Sequence, residues 1–226
     1  MREAFAGQLA ELEQRIDGQL KLAIATLETV AEAVTNPGGR RPAEIANTAR
    51  QLTQHSHRAD AELVTIVACQ TPVASDLRLV LALLQLAHHE GLIANQFALI
   101  SEQLTEIDAD VPDRQRTADK LSSMATLAGS QLQLATTAFA SRDLALAEQV
   151  DREDDAVDKL NREIFEATLA LDAVPDHREL ALRHVLIARS LERIGDNAVD
   201  IAEQAEFLVT AQLREFSDAS RPKPSR

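Results

Sequence analysis

The chain has 226 residues, enough to bury a core, and its hydrophobic fraction of 45% is almost entirely aliphatic, with six Phe and no Trp or Tyr. This composition favours helices, and seven Gly are too few for the tight turns of an all-β protein. The formal net charge of −13 argues against a nucleic-acid partner, and the single cysteine, Cys69, excludes an internal disulfide.

Five breaks divide the sequence into six segments with helical periodicity. Clusters of Gly, Pro and polar residues mark the breaks at 36–39, 71–72, 108–113, 141–143 and 174–175. The segments between them predict six long helices of roughly 25 to 35 residues, joined by short connections that favour antiparallel bundles. We therefore expect an all-α fold.

Local features of the sequence add expectations about location and helix ends. Residues 1–14 carry charged side chains and no apolar signal core, and no later stretch approaches about 18 uninterrupted apolar residues. We therefore expect a cytoplasmic protein with no direct membrane insertion. Cys69 is expected to be a buried thiol. Thr71 is expected to cap the third helix, with Pro72 in its first turn, and residues 213–226 to form a flexible tail.

The third and sixth helices carry the same stripe of apolar positions. Each stripe advances in steps of three and four residues, and adding 101 to each position of the first gives the second. Duplication of a three-helix module explains so long a period. It predicts two tandem three-helix bundles related by pseudo-symmetry, at 1–108 and 109–212. The stripes are Leu83, Leu86, Glu90, Ile93, Phe97, Ile100 and Leu104, and His184, Ile187, Leu191, Ile194, Ala198, Ile201 and Ala205.

Acidic residues gather on two helices of the second half. Glu192, Asp196 and Asp200 are four apart on the sixth helix, on a face away from its apolar stripe, and Asp154 and Asp158 are four apart on the fifth. Adjacent helices would bring these carboxylates together as ligands of a hard cation such as Mg²⁺, Mn²⁺ or oxidised iron. The alternative is a solvated acidic face screened by basic neighbours, and spacing alone favours it.

The histidines and the known catalytic motifs give no comparable signal. His184 lies in an apolar stripe, where a core histidine is expected, while His88 and His89 directly precede Glu90 in a predicted buried polar cluster. His55 and the histidine two residues on diverge around their helix and make no metal pair. The sequence has no Glu-x-x-His pair, glycine-rich phosphate loop or G-x-S-x-G motif. The simplest interpretation is a non-catalytic binding protein.

Two motifs resemble those of the PhoU family of phosphate-uptake regulators: Pro-Val-Ala-Ser-Asp-Leu-Arg at 72–78 and Leu-Glu-Arg-Ile-Gly-Asp at 191–196. The resemblance extends from the first helix to about Val209 and includes the Asp154 and Asp158 pair. It implies two three-helix bundles, often in a homodimer, with metal ions on their acidic faces. It also implies negative regulation of phosphate uptake through a phosphate ABC transporter ATPase (PstB-like) and a phosphate-sensing histidine kinase (PhoR-like).

The first half departs from this family pattern. The positions that correspond to the three carboxylates of the sixth helix are Gly91, Asn95 and Leu99, which cannot form an anionic cage. We therefore assign the metal ion that the resemblance implies (Mg, Mn, Fe or Zn) to the second half only, and a metal-free protein is the alternative. Asp76 and Arg78 of the first motif either cap and pair within the first turn of the third helix or contact a partner.

Three functions remain open from the sequence. The preferred one is an adaptor that couples phosphate transport to signalling without catalysis. The second is a carboxylate-bound metal enzyme that uses Asp154, Asp158, Glu192 and Asp196. The third is a structural helical scaffold.

Overall fold

A computed structural model describes residues 2–36, 39–107, 114–171 and 178–212 of the chain. All six predicted helices are present, and no strand occurs within those ranges, so the all-α prediction is confirmed. The predicted tail, 213–226, lies outside the described residues. The helices are α1 (Arg2–Thr35), α2 (Arg41–Gln70), α3 (Ala74–Thr105), α4 (Arg114–Ser141), α5 (Leu144–Leu171) and α6 (Arg178–Thr210).

The helix ends show why the chain breaks where it does. At the start of α5, Asp143 Oδ1 accepts the backbone N–H of Ala145 at 2.8 Å and of Leu146 at 3.2 Å, which satisfies donors that the first turn leaves unpaired. Between α1 and α2, Gly39 has a φ of 74°, a conformation that glycine adopts without strain.

Two local expectations were wrong. Helix α3 begins at Ala74, because Val73 is extended, with φ −131° and ψ 156°. Thr71, at φ 44°, instead caps the end of α2 in the left-handed region. Cys69 is exposed, because the buried stripe of α2 ends at Ile66, one turn before the end of the helix.

The two halves meet through α3 and α6, which run antiparallel. His89 Nδ1 lies 2.8 Å from Asn197 Oδ1, and Arg183 Nη1 donates to Gln103 Oε1 at 3.3 Å near the opposite end of α3. Every residue of the two predicted stripes is buried, and the apolar ones join a single core cluster that spans both halves. The stripes are therefore the core seams that the sequence predicted.

Helices α1 and α4 form the second contact between the halves, and they also run antiparallel. Arg142 Nη2 of the connection after α4 donates to Glu13 Oε1 of α1 at 2.7 Å, and a Cβ at Gly129 would lie 3.6 Å from Leu27 Cβ. Equivalent helices that pair antiparallel are what a two-fold relation between duplicated modules produces. The limits of the two modules stay a prediction.

Helix α3 is the one helix in the described ranges that is long and apolar enough to cross a membrane by length and composition. Half of its most apolar stretch is buried inside the protein. Helices α2 and α6, and to a lesser extent α1, pack against α3 and cover it.

Candidate functional site

The predicted metal ligands lie on α5 and α6, which pack against each other and against α4. Asp154 faces the junction of these helices: its Oδ1 accepts a hydrogen bond from Gln131 Nε2 of α4 at 2.8 Å. The same Oδ1 lies 3.6 Å from the position that a Cβ at Gly195 of α6 would occupy, and Gln131 Oε1 lies 2.9 Å from it. Glycine at 195 therefore allows α6 to approach its neighbours this closely.

Two of the five carboxylate residues are buried rather than solvent-facing. Asp158 is 7% exposed and Glu192 is 8% exposed, so the alternative of a solvated acidic face does not describe these two carboxylates. Each is near an arginine of its own helix: Glu192 pairs with Arg189, and Asp158 Oδ2 lies 3.9 Å from Arg162 Nη1. Glu192 is covered because α6 packs against α3, α4 and α5, and Asp158 is covered because α5 packs against α4 and α6.

The other two carboxylates of α6 lie in different surroundings. Asp196 is exposed, and Asp200 is partly exposed, with its Oδ2 3.7 Å from His89 Nδ1. Within the part of the chain that the structure describes, no three His, Cys, Asp or Glu residues lie close enough together to hold a metal ion. The five carboxylates thus occupy two adjacent helices without forming one group, and the metal site stays a prediction.

The acidic segment of α5 shows the electrostatic effect of crowding carboxylates. The pKa of Asp151 is raised, first by burial and then by the negative charge of Asp155, while Arg152 opposes the shift. Carboxylates four apart on a helix destabilise it by roughly 0.2 to 0.5 kcal/mol for each pair. A cation bound near this segment would relieve that repulsion.

The partner of the buried Glu90, which is His55, is the feature of the first half that sequence reasoning missed. Glu90 is completely buried, and its two carboxylate oxygens lie 3.0 and 2.9 Å from His55 Nδ1 of α2. Burial raises the pKa of Glu90, while the hydrogen bond and charge of His55 oppose the rise. The available signal was a glutamate in an apolar stripe at the position where the second half has Leu191, because a buried carboxylate requires a partner.

His89 lies next to this pair and links the two halves. Its ring is buried and its Nδ1 contacts Asn197 of α6, so the predicted polar cluster exists, although His88 is exposed. Burial lowers the pKa of His89, and Asn197 and Asp200 oppose that change. The cluster therefore joins α2, α3 and α6 through hydrogen bonds between side chains.

The predicted partner-binding residues lie in the first turns of α3. Asp76 and Arg78 are each partly exposed, and the backbone N–H of Asp76 donates to Val73 O at 3.2 Å. Val73 and Leu77 beside them are exposed apolar residues. Charged and apolar side chains thus share this end of the α2–α3 pair, and their contact with a partner stays a prediction.

Comparison with known proteins identifies relatives of this chain. The PhoU domain family model matches residues 121–205. The phosphate-specific transport system accessory protein PhoU homolog of Deinococcus radiodurans is 30% identical over 216 residues, covering 93% of this chain and 98% of that protein. PhoU homolog 2 of Mycobacterium tuberculosis is 28% identical, with coverage of 93% and 98%.

Solved structures show the same fold. The phosphate transport system regulatory protein PhoU from Streptococcus pneumoniae superposes with a TM-score of 0.82 at 21% identity, covering 93% of this chain and 99% of that one. PhoU from Pseudomonas aeruginosa gives a TM-score of 0.82 at 22% identity, with coverage of 94% and 100%.

Proposed function

The chain belongs to the PhoU family, and on that premise we propose that it regulates phosphate uptake. The observation that carries the proposal is the 30% identity to a phosphate-specific transport system accessory protein homolog over 93% of this chain. Similarity of that extent includes both halves and both motifs, whereas a match confined to one bundle would leave the function open.

The finer proposal is a cytoplasmic adaptor that acts as a negative regulator between the ATPase of a phosphate ABC transporter and a phosphate-sensing histidine kinase. Exposed apolar side chains support it. Phe165 and Leu169 are four apart on α5 and are 52% and 59% exposed, and Leu182 and Leu186 are four apart on the adjacent α6. Large apolar side chains that stay exposed on neighbouring helices are typical of protein interaction surfaces.

The first half offers a related surface near Asp76 and Arg78. Val64 and Leu81 are exposed there, and they are the counterparts of Phe165 and Leu182 at the same offset of 101 residues. An adaptor needs at least two contact surfaces, and the duplicated fold supplies one in each half. We propose that Asp76 and Arg78 contact one of the two partners, and that the protein acts as a homodimer.

Affinity purification from phosphate-replete cells tests the adaptor. The wild-type protein should recover the transporter ATPase and the histidine kinase, and Arg78→Glu should reduce the recovery of one of them. Lys21→Glu on α1 is the matched control, because it reverses one charge that pairs within α1 with Asp17. Repeated recovery of neither partner by a folded wild-type protein contradicts the proposal.

We also propose that the carboxylates of the second half bind a hard divalent or ferric ion. Binding requires Glu192 and Asp158 to exchange their arginine neighbours for the ion, and Asp154 to keep its Gln131 hydrogen bond. Bound metal in the purified protein, and a rise in melting temperature with Mn²⁺ that Asp154→Asn with Glu192→Gln abolishes, would support it. Absence of both effects rejects the metal site and leaves the adaptor proposal intact.

A further inference from the structure

A groove runs between α2 and α3 on the surface of the first half. Its volume is about 490 Å³, and its lining is mostly small: the buried Ala49 and Ala94 form its floor, and the exposed Ala98 lies at its edge. Polar side chains also line it, among them Arg50 and Asn95, but no carboxylate does. Alanines on neighbouring helices leave room for a third helix to approach closely.

The stretches of α2 and α3 that form most of the groove carry no acidic residue, although the exposed Glu44 adjoins the lining residue Ala43 at one end. Residues 45–59 of α2 and 91–101 of α3 contain no Asp or Glu, although the chain has 36 of them and a net charge of −13. The first of these stretches contains Arg50 and Arg58, both exposed. Arg50 donates a hydrogen bond to Asn47 on the preceding turn. Neither arginine forms an ion pair with a carboxylate of the described residues.

The duplication shows how unusual this surface is. The offset of 101 residues also relates α2 to α5, because Ser56 and Leu63 are buried and so are their counterparts Val157 and Ile164. The same offset relates Arg50 to Asp151, Thr53 to Asp154, Gln54 to Asp155 and Asn95 to Asp196. These four positions are therefore acidic in the second half and neutral or basic in the first.

We propose that the α2–α3 groove binds a helix of a partner protein that carries carboxylates about two turns apart on a face of small apolar residues. Charge complementarity selects an acidic occupant, because Arg50 in the groove and Arg58, one turn beyond the lining residue Gln54, form no ion pair with a carboxylate of the described residues. Their eight-residue separation corresponds to about 12 Å along α2. Carboxylates seven or eight residues apart on a docked helix match that distance.

The geometry favours a helix over a small anion such as phosphate. A phosphate ion is held by donors that converge on it, whereas the guanidinium of Arg50 turns towards Asn47, away from Arg58. The alanine methyl groups of the groove would contribute nothing to binding a free anion. The apolar face of a docked helix would bury these methyl groups away from water, which favours binding. This inference does not depend on the phosphate role.

Binding of two labelled helical peptides, measured by fluorescence anisotropy, tests the proposal. One peptide carries two Glu about two turns apart on an Ala-rich face, and the other carries Lys at the same two positions. The Glu peptide should bind the wild-type protein, and Arg50→Glu should weaken that binding about tenfold or more, since attraction becomes repulsion. The Lys peptide should bind the Arg50→Glu variant more tightly than it binds the wild-type protein. The control Lys21→Glu should not change the binding of either peptide.

A second variant separates groove occupancy from general charge. Ala98→Phe fills the edge of the groove without changing charge, and it should block the Glu peptide while circular dichroism confirms a folded protein. Equal binding of both peptides to the wild-type protein, or no effect of Arg50→Glu, refutes the proposal. Displacement of the Glu peptide by inorganic phosphate but not by chloride at equal ionic strength would assign the groove to a small anion. Self-association that Arg50→Glu abolishes would assign it to a second copy.

Discussion

Removal of the His55 side chain tests whether the buried Glu90 carboxylate depends on it. The side chain of Glu90 is 0% exposed and that of His55 is 17% exposed. Removing one member of a buried pair destabilises a protein by about 3 to 5 kcal/mol, because the remaining charge has no partner. Water can enter where the partly exposed ring stood, so we expect the low end of that range for His55→Ala, about 3 kcal/mol.

The assay is thermal unfolding followed by circular dichroism at about pH 8. In a protein of this size, 1 kcal/mol corresponds to about 2 to 4 °C, so the melting temperature should fall by about 6 to 12 °C. Repeating His55→Ala in a Glu90→Gln background removes the buried charge. The substitution should then have an effect of only about 1 kcal/mol, that of a neutral hydrogen bond. His57→Ala, at an exposed position of the same helix, is the matched control, with an expected effect within about 0.5 kcal/mol.

Two results would refute the reasoning. If His55→Ala lowers the melting temperature no more than His57→Ala does, the hydrogen bonds from His55 do not stabilise the buried carboxylate. If the decrease is the same with Glu90 and with Gln at that position, the effect comes from lost packing of the ring and not from an unpaired charge.

Three further predictions concern the glycines and the buried carboxyl. Gly18→Ala, exposed in the middle of α1 with nothing within 4 Å of its Cβ, should stabilise the protein by about 0.5 to 1 kcal/mol in thermal unfolding. Gly195→Ala should instead destabilise the protein by about 1 kcal/mol, because the added Cβ would lie 2.9 Å from Gln131 Oε1. An equal gain in stability for both variants would contradict the close approach of the helices at Gly195. Because burial raises the pKa of Glu90 above its ordinary 4.5, the protonated carboxyl stabilises the fold below pH 4.5, and this stabilisation is lost as the pH rises through the folded-state pKa. Melting curves over a pH series should therefore show Glu90→Gln becoming more stable relative to wild type as the pH rises, and a pH-independent difference would contradict this.

The helices and the core were predictable because their signals are periodic. The stripe from Leu83 to Leu104 repeats every three or four residues, and only a helix puts such positions on one face. The start of α3 was not predictable to the residue, because Pro72 is compatible with both a first helical turn and an extended approach to it. The extended backbone of Val73 depends on how the two helices meet, which no local pattern encodes.

The candidate site was only partly predictable for a related reason. Spacing correctly indicated that Asp154 and Glu192 lie on adjacent helices, because short connections place consecutive helices side by side. It could not indicate that Glu192 is covered, since helix α6 packs against three neighbours and a single stripe accounts for only part of its surface. The pairing of Glu90 with His55 joins residues 35 apart, and no periodicity relates them.

Each half contains a glycine at which a neighbouring helix approaches closely. In the first half, a Cβ at Gly91 would lie 2.8 Å from Ser56 Oγ, and in the second half one at Gly195 would lie 2.9 Å from Gln131 Oε1. At each glycine the missing side chain leaves room for a polar side chain of a neighbouring helix. That polar side chain therefore lies against the backbone of α3 or α6, the helices that carry the seams. Because the apolar seams are conserved between the halves in position and burial, they fix the common frame. The polar residues around them are free to differ, which gives one duplicated fold an acidic surface in one half and an acid-free groove in the other.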